Sequence, residues 1–413
     1  MRCRARNAGT LSFDCFVGDY GFAFAQNLLA GQFMRHVLED CEAENGGVSL
    51  TVDGISVGLN GAPVWAGCDY GASVQLRGTF KIRSASGYTG DLMGVAGLDQ
   101  FKADSLDVIE RSAAGVGGDL IKLTTINRVE ANGRAVVGRG PLVRNCGEVV
   151  WKVSEKAKEP NPQASRFGFS ASAVSAVTTT TAARNAGDTT IPLAQATPNV
   201  GAGPGGFIRY DDGSEVYEIA VRSHTAPTTS AVVLACDPLP VAILGGAIVT
   251  VISTVRAITM DEATIDGFAA GFRTTGSATA KPRDINLSDK LQISRWLNIG
   301  ADIIAGDGGT VRASFDNGGL AASGVKYGVS LGDDAEGIRV APRHGKNNRR
   351  IRYGVAASAG TANCLIDGGV YLSIDGTAVS PAAIFVPTGA VNVKVGANNL
   401  VASGITPQFP TPA

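Results

Sequence analysis

A five-residue segment that returns, almost unchanged, a short way down the chain constrains this protein more than any other feature. Val325-Lys326-Tyr327-Gly328-Val329 recurs as Ile351-Arg352-Tyr353-Gly354-Val355, and each change keeps the chemistry. The interval is about 26 residues, within the range of stacked repeat units. Ile265-Asp266-Gly267, Phe315-Asp316-Asn317-Gly318 and Ile366-Asp367-Gly368-Gly369 follow one another at close to two such periods. Cys15, Cys41, Cys68 and Cys146 are separated by one, one and three periods. Helical repeats need long amphipathic runs, and none is present. Between the echoes lie short runs such as Val74-Gln75-Leu76, Phe80-Lys81-Ile82 and Val391-Asn392-Val393-Lys394-Val395. They are closed by Gly, Asn or Asp, which tolerate turn dihedrals.

One coil of short strands per period predicts an all-β chain, a right-handed parallel β-helix (solenoid) interrupted by a small β-sandwich/barrel module. Equivalent inward positions then stack, which would place the four cysteines in one buried column. Glycine supplies 54 of 413 residues, about twice its usual ~7% share, as many tight turns require. The best helical stretch, Leu28 to Leu38, is expected to cover the side of the solenoid.

The period divides the chain. Rungs are expected over 1–155 and 255–405, with a tail over 406–413 whose prolines would stop further pairing. Lys156 to Pro162 is charged and proline-broken, and 171–183 contains only Ala, Ser, Thr and Val, so 156–183 reads as a linker. From 184 to 254 the echo is absent and strands recur at roughly half the period, with a hairpin turn at Asp211-Asp212-Gly213. This is the inserted module. Its expected core is Phe207, Ile208, Val216, Ile219, Val233 and Ile248, with Arg209, Asp211 and Asp212 at the turn.

The strings AGDTTIPLA, PGGFIRYDDGSEVYEI, TTSAVVL and GGAIVTVI in this region resemble a small β-module of bacteriophage virion proteins. The flanking glycine-rich rungs are similar to β-helical tailspikes and tail or head fibres. The resemblance implies a virion structural protein, a tail spike/fibre or head spike that binds host surface polysaccharide. It also implies a homotrimer. The N-terminal end of an open β-helix, with no cap or stop evident, is expected to be covered by another virion protein, and no cofactor is expected. The alternative is a β-helical polysaccharide lyase or glycoside hydrolase.

Charge and cysteine usage narrow the setting. Thirty-six basic and 37 acidic residues are interspersed, giving net charge −1, so no field suits nucleic acid as the main ligand. Seven cysteines without a CxxC or a Cys/His cluster indicate neither a disulfide framework nor a zinc site, and no metal is expected. Met1-Arg2-Cys3-Arg4-Ala5-Arg6 is basic without a following apolar segment, unlike a secretory signal. The uncharged Pro238 to Val255 stretch, with two prolines and a Gly-Gly pair, reads as buried strands rather than membrane insertion. The expected setting is a virion assembled in the host cytoplasm.

Two constellations carry chemistry. Asp333, Asp334 and Glu336 could serve a glycosidic bond if two carboxyls stood ~5–9 Å apart; the milder reading is a solvated acidic turn. Arg343, His344, Lys346, Arg349 and Arg350 concentrate positive charge in a short run, suiting an acidic glycan or the nearby carboxylates. The histidines (His36, His224, His344) are scattered, and the tryptophans (Trp65, Trp151, Trp296) are too far apart for one aromatic platform.

Overall fold

In the computed structural model the chain is described at residues 4–6, 12–13, 20–24, 34–44, 47–51, 55–57, 63–65, 72–84, 92–111, 121–158, 166–194, 205–224, 231–321, 326–345, 348, 351–374 and 382–409. Among these residues every regular element is a strand. The fold is all-β, and its principal sheet is built from parallel pairs.

Register explains why the echo exists. One column of paired positions runs Leu38, Leu76, Ala103, Ala131, Trp151, Met260, Leu287, Val311, Val340, Ile366, Val395. All but the terminal Val395 are buried. The step between neighbours varies, shorter from Leu287 to Val311 and longer from Val311 to Val340, so the echo is one local value of a variable turn length. The step from Trp151 to Met260 is far longer. Setting aside positions 174–253 leaves an ordinary step. Tyr327/Tyr353 and Val329/Val355 are direct register partners, and the tyrosine rings stack at 6.0 Å and 7°.

Past the insertion parallel-paired strands recur in sets of three, each set termed a coil and its strands the three sides, exemplified by Val255–Met260, Thr264–Asp266 and Ala270–Thr275. The second side carries another column: Ala43, Ile82, Val108, Ala135, Glu155, Ile265, Ile293, Phe315, His344, Tyr371, Val401. Its bulky members lie across a line of glycines on the third side. A Cβ on Gly168, Gly271, Gly300, Gly328 or Gly354 would overlap Ile265, Ile293, Phe315, His344 or Tyr371 respectively. Interiors pack at crystal-like density, so a large column on one side requires an empty one opposite.

The inserted unit is a six-stranded antiparallel sheet ordered Val174–Thr179, Ile248–Ser253, Gly206–Asp211, Val216–His224, Ala231–Cys236, Thr190–Ala194. A bridge between Thr180 and Leu193 joins its two outer strands. It leaves the stack after Ala173, whose N–H donates to Thr275 O, and returns at Thr254, whose hydroxyl donates to Lys281 O.

Several expectations are corrected. The module begins at Val174, not 184, because the β-branched stretch pairs its backbone with Ile248–Ser253. Phe167–Ser172, assigned to the linker, is a stacked strand that pairs with Leu142–Arg144 and Ala270–Thr275. The module core is offset by one residue in two strands. Phe207, Ile208 and Ile219 are buried, but Val216 and Ile248 are exposed, and Val232, Leu234, Val249 and Val251 take the interior. A one-residue slip in a period-two strand exchanges its faces. Arg209 lies mid-strand opposite Glu218, whereas Asp212 caps the turn by accepting N–H bonds from Ser214 and Glu215 at 2.8 Å.

The C-terminal ladder runs past 405, since Thr406–Phe409 pairs with Ala382–Phe385; proline at 407 does not prevent this. Met34–Glu39, inside the expected helix, is a strand beside Ala72–Arg83. Cys41 and Cys146 are buried but share no column. Cys41 precedes Glu42, the partner of Lys81, while Cys146 faces Val255. Cys15 and Cys68 lie outside the described residues. Asp266 and Asp316 share a column through Ser294, but Asp367 follows Ile366 on another side.

Candidate functional site

The acidic candidates sit on the third-side strand Tyr327–Glu336 and do not converge. Ile303 pairs with Leu331 but Ala305 with Asp334, so Gly332-Asp333 forms a bulge that turns Asp333 outward. Its carboxylate accepts the Gly360 N–H at 3.1 Å. Glu336 is held by Lys281 at 2.9 Å and by the Asn363 amide at 3.2 Å. The Lys281 bond, then Asn363, hold its carboxyl below the ordinary carboxylate range. That direction keeps Glu336 ionised, the opposite of what a general acid needs.

The basic run separates too. Arg343 is exposed, but its neighbour His344 is completely buried between Phe315 (5.1 Å) and Tyr371 (5.4 Å) in the second-side column. Strand alternation sends one side chain to solvent and the next inside. Burial pushes the His344 imidazole down to about 3, so it is neutral at pH 7 and is no ligand for an acidic group. Lys346, Arg349 and Arg350 lie outside the described residues. Trp151 and Trp296 are fully buried and offer no platform.

Two grooves remain. The first, about 240 Å³, separates the module from the coils and is lined by Arg209, Val216, Glu218, Ala278, Thr279, Lys281, Arg283, Asp307 and Glu336. Its charges are largely consumed internally. Arg283 forks onto Glu218 at 2.7 and 2.9 Å while lying over the Phe207 ring at 4.5 Å. The Arg283 bond, against burial, holds Glu218 low in pKa. This groove is the clamp that docks the module.

The second groove, about 220 Å³, crosses three successive coils on the third side. Leu142, Ser170 and Arg273 form one row, and Arg144, Ser172 and Thr275 the next. Arg139, Gly140 and Phe167 complete the lining. Three guanidiniums therefore face one hollow, and among the described residues no carboxylate lines it. Arg144 Nε donates to Ser172 Oγ at 3.1 Å, and the Ser170 hydroxyl donates to Pro141 O at 3.1 Å. Arg273 lies over the Phe167 ring at 4.5 Å. Its Nε is 3.4 Å from Asp302 yet makes no hydrogen bond of good geometry. Burial pushes the Asp302 carboxyl up, although Arg273 and the Ser330 bond pull against it. Asp302 is one carboxylate beside Arg273 and pairs with neither Arg139 nor Arg144 in an ion pair of the groove.

The sequence reading missed these residues because they are spread from 139 to 275. The available signal was the coil step: Leu142 to Ser170 and Arg144 to Ser172 are each one ordinary step. The insertion then hides the third coil, since the whole module intervenes between Ser170 and Arg273. Compared with known proteins, the chain matches no family model and no curated sequence.

Proposed function

We propose that this chain is a phage virion structural protein, a tail spike/fibre or head spike built as a right-handed parallel β-helix that binds a host surface glycan. The observation that carries the reading is the long core column, continuous across an insertion that interrupts the chain but not the stack. Such a stack is quasi-one-dimensional and presents a long lateral surface. The right hand follows from the strong bias of parallel crossovers. A homotrimer, with other virion proteins at the N-terminal end, is part of the same proposal. The open groove with its three arginines and several hydroxyls supports sugar binding over nucleic acid, which needs a longer basic track.

The second reading, a polysaccharide lyase or glycoside hydrolase, rested on Asp333, Asp334 and Glu336. The Lys281 ion pair and the bulge count against that trio as an acid/base pair. The test is to purify particles from the source phage and locate the chain by mass spectrometry and by cryo-electron microscopy. Threefold density with stacked coils at the surface is expected. Particles lacking the chain would sink the proposal.

A further inference from the structure

The arginine groove has a chemistry more specific than sugar binding. Two of its cations, Arg139 and Arg144, come from one coil and the third, Arg273, from the second coil beyond it, with Ser170 and Ser172 of the intervening coil and Thr275 between and beside them. Guanidinium forks match planar carboxylates and sulfate oxygens, while hydroxyls match sugar hydroxyls. Strands about 4.8 Å apart put Arg144 and Arg273, two coils from each other, about 10 Å apart along the stack at their backbones. The volume is below the ~300–1,000 Å³ of pockets that enclose a whole drug-sized ligand. It suits one acidic ring of a longer chain lying along the coils.

We propose that the groove of Arg139, Arg144 and Arg273 binds the acid group of an acidic polysaccharide, a uronate carboxylate or a sulfate ester, with Ser170, Ser172 and Thr275 engaging the ring. This rests on the reading of the chain as a glycan binder and names the class of glycan. Asp302 limits the net charge beside Arg273, which disfavours a polyphosphate and favours a singly charged group. Phe167, half-buried with Arg273 over its ring, gives the groove its one aromatic wall. Ser172 closes the strand just ahead of Val174, so the site sits where the module leaves the stack.

The test uses the purified full chain and isothermal titration with four probes: oligogalacturonate, sulfated dextran, neutral dextran and oligo-dT. Binding to oligogalacturonate or sulfated dextran is expected, weakening as salt rises because the contacts are ionic and solvent-exposed. The better of the two acidic probes identifies the acid group. Arg139→Glu, at an exposed position, and Arg144→Gln are each expected to weaken that binding at least tenfold with an unchanged melting temperature. A third variant, Arg312→Glu, alters an exposed arginine outside the groove and is expected to bind as the wild type does.

Equal affinity for neutral dextran, tighter binding of oligo-dT, no binding of either acidic probe, or equal weakening by all three variants would each overturn the proposal. If Arg139→Glu and Arg144→Gln both lower the melting temperature, the Ser172→Ala variant, which removes a hydroxyl but no charge, decides. Its affinity is expected to fall severalfold, and unchanged affinity overturns the site. Because the assay uses the isolated chain, its outcome is independent of whether the chain is found in a virion.

Discussion

His344 offers the sharpest test of how the coils pack. Its ring sits in the second-side column between Phe315 and Tyr371. Neither ring nitrogen makes a hydrogen bond of good geometry. Burial lowers its pKa from 6.5 to about 3, and the Gly354 backbone offsets this only in part. The unfolded chain therefore binds a proton below pH 6.5 that the folded chain refuses, and stability falls as pH drops from 6.5 toward 3. At pH 4.5, two units below the unfolded value, the linkage costs about 3 kcal/mol relative to pH well above 6.5.

Replacing His344 with Phe removes the proton and the two unpaired nitrogens. Six-membered rings already lie against glycine on both adjacent coils, Phe315 on Gly300 and Tyr371 on Gly354, so the position admits one more. Urea unfolding followed by intrinsic fluorescence measures the effect, with Trp296 edge-on to Phe315 at 5.6 Å as reporter. Other titrating groups are common to both proteins and cancel in the difference. The advantage of His344→Phe over wild type is expected to be about 3 kcal/mol larger at pH 4.5 than at pH 7. An advantage that is the same at both pH values, within about 0.5 kcal/mol, would refute a neutral, buried imidazole.

Glu155 in the same column makes the mirror prediction. Burial, against the Trp151 Nε1 bond at 2.7 Å, raises its carboxyl well above the ordinary value of 4.5, so the folded state holds a proton that the unfolded state releases. Wild type should lose stability as pH rises above 4.5, and Glu155→Gln should gain on it as pH rises through that range in the same titration; parallel curves would refute a raised Glu155 pKa. Gly300→Ala places a methyl against the Phe315 ring and 2.6 Å from Gly328 O, and overpacking of this kind should cost about 1–3 kcal/mol by urea unfolding. In the module, Ile208→Ala should cost about 2–5 kcal/mol, because Ile208 is fully buried. Ile248→Ala, at 68% exposure, should stay within about 0.5 kcal/mol. Comparable losses in the two would place the strand register one residue away from that described.

What the chain states locally was legible. The Tyr327/Tyr353 and Val329/Val355 pairs follow from the echo, because parallel stacking puts chemically matched residues in register. Asp211-Asp212-Gly213 was readable as a turn, because Asp212 caps N–H groups only two and three positions away. The break in period between two lengths of stack was readable too, since antiparallel strands joined by short turns carry their own spacing. The tertiary structure alone decided what faces what. Coil steps vary because the turns vary, so neither Cys41 with Cys146 nor the third Asp echo falls in a single column. His344 lies in a run of charge, yet alternation beside the Gly328 gap drives it inside. Val216 and Ile248 are apolar in apolar strands, and only the pairing register puts them outside. Arg144 and Arg273 come to line one groove across the inserted module because hydrogen bonds between coils are blind to chain length.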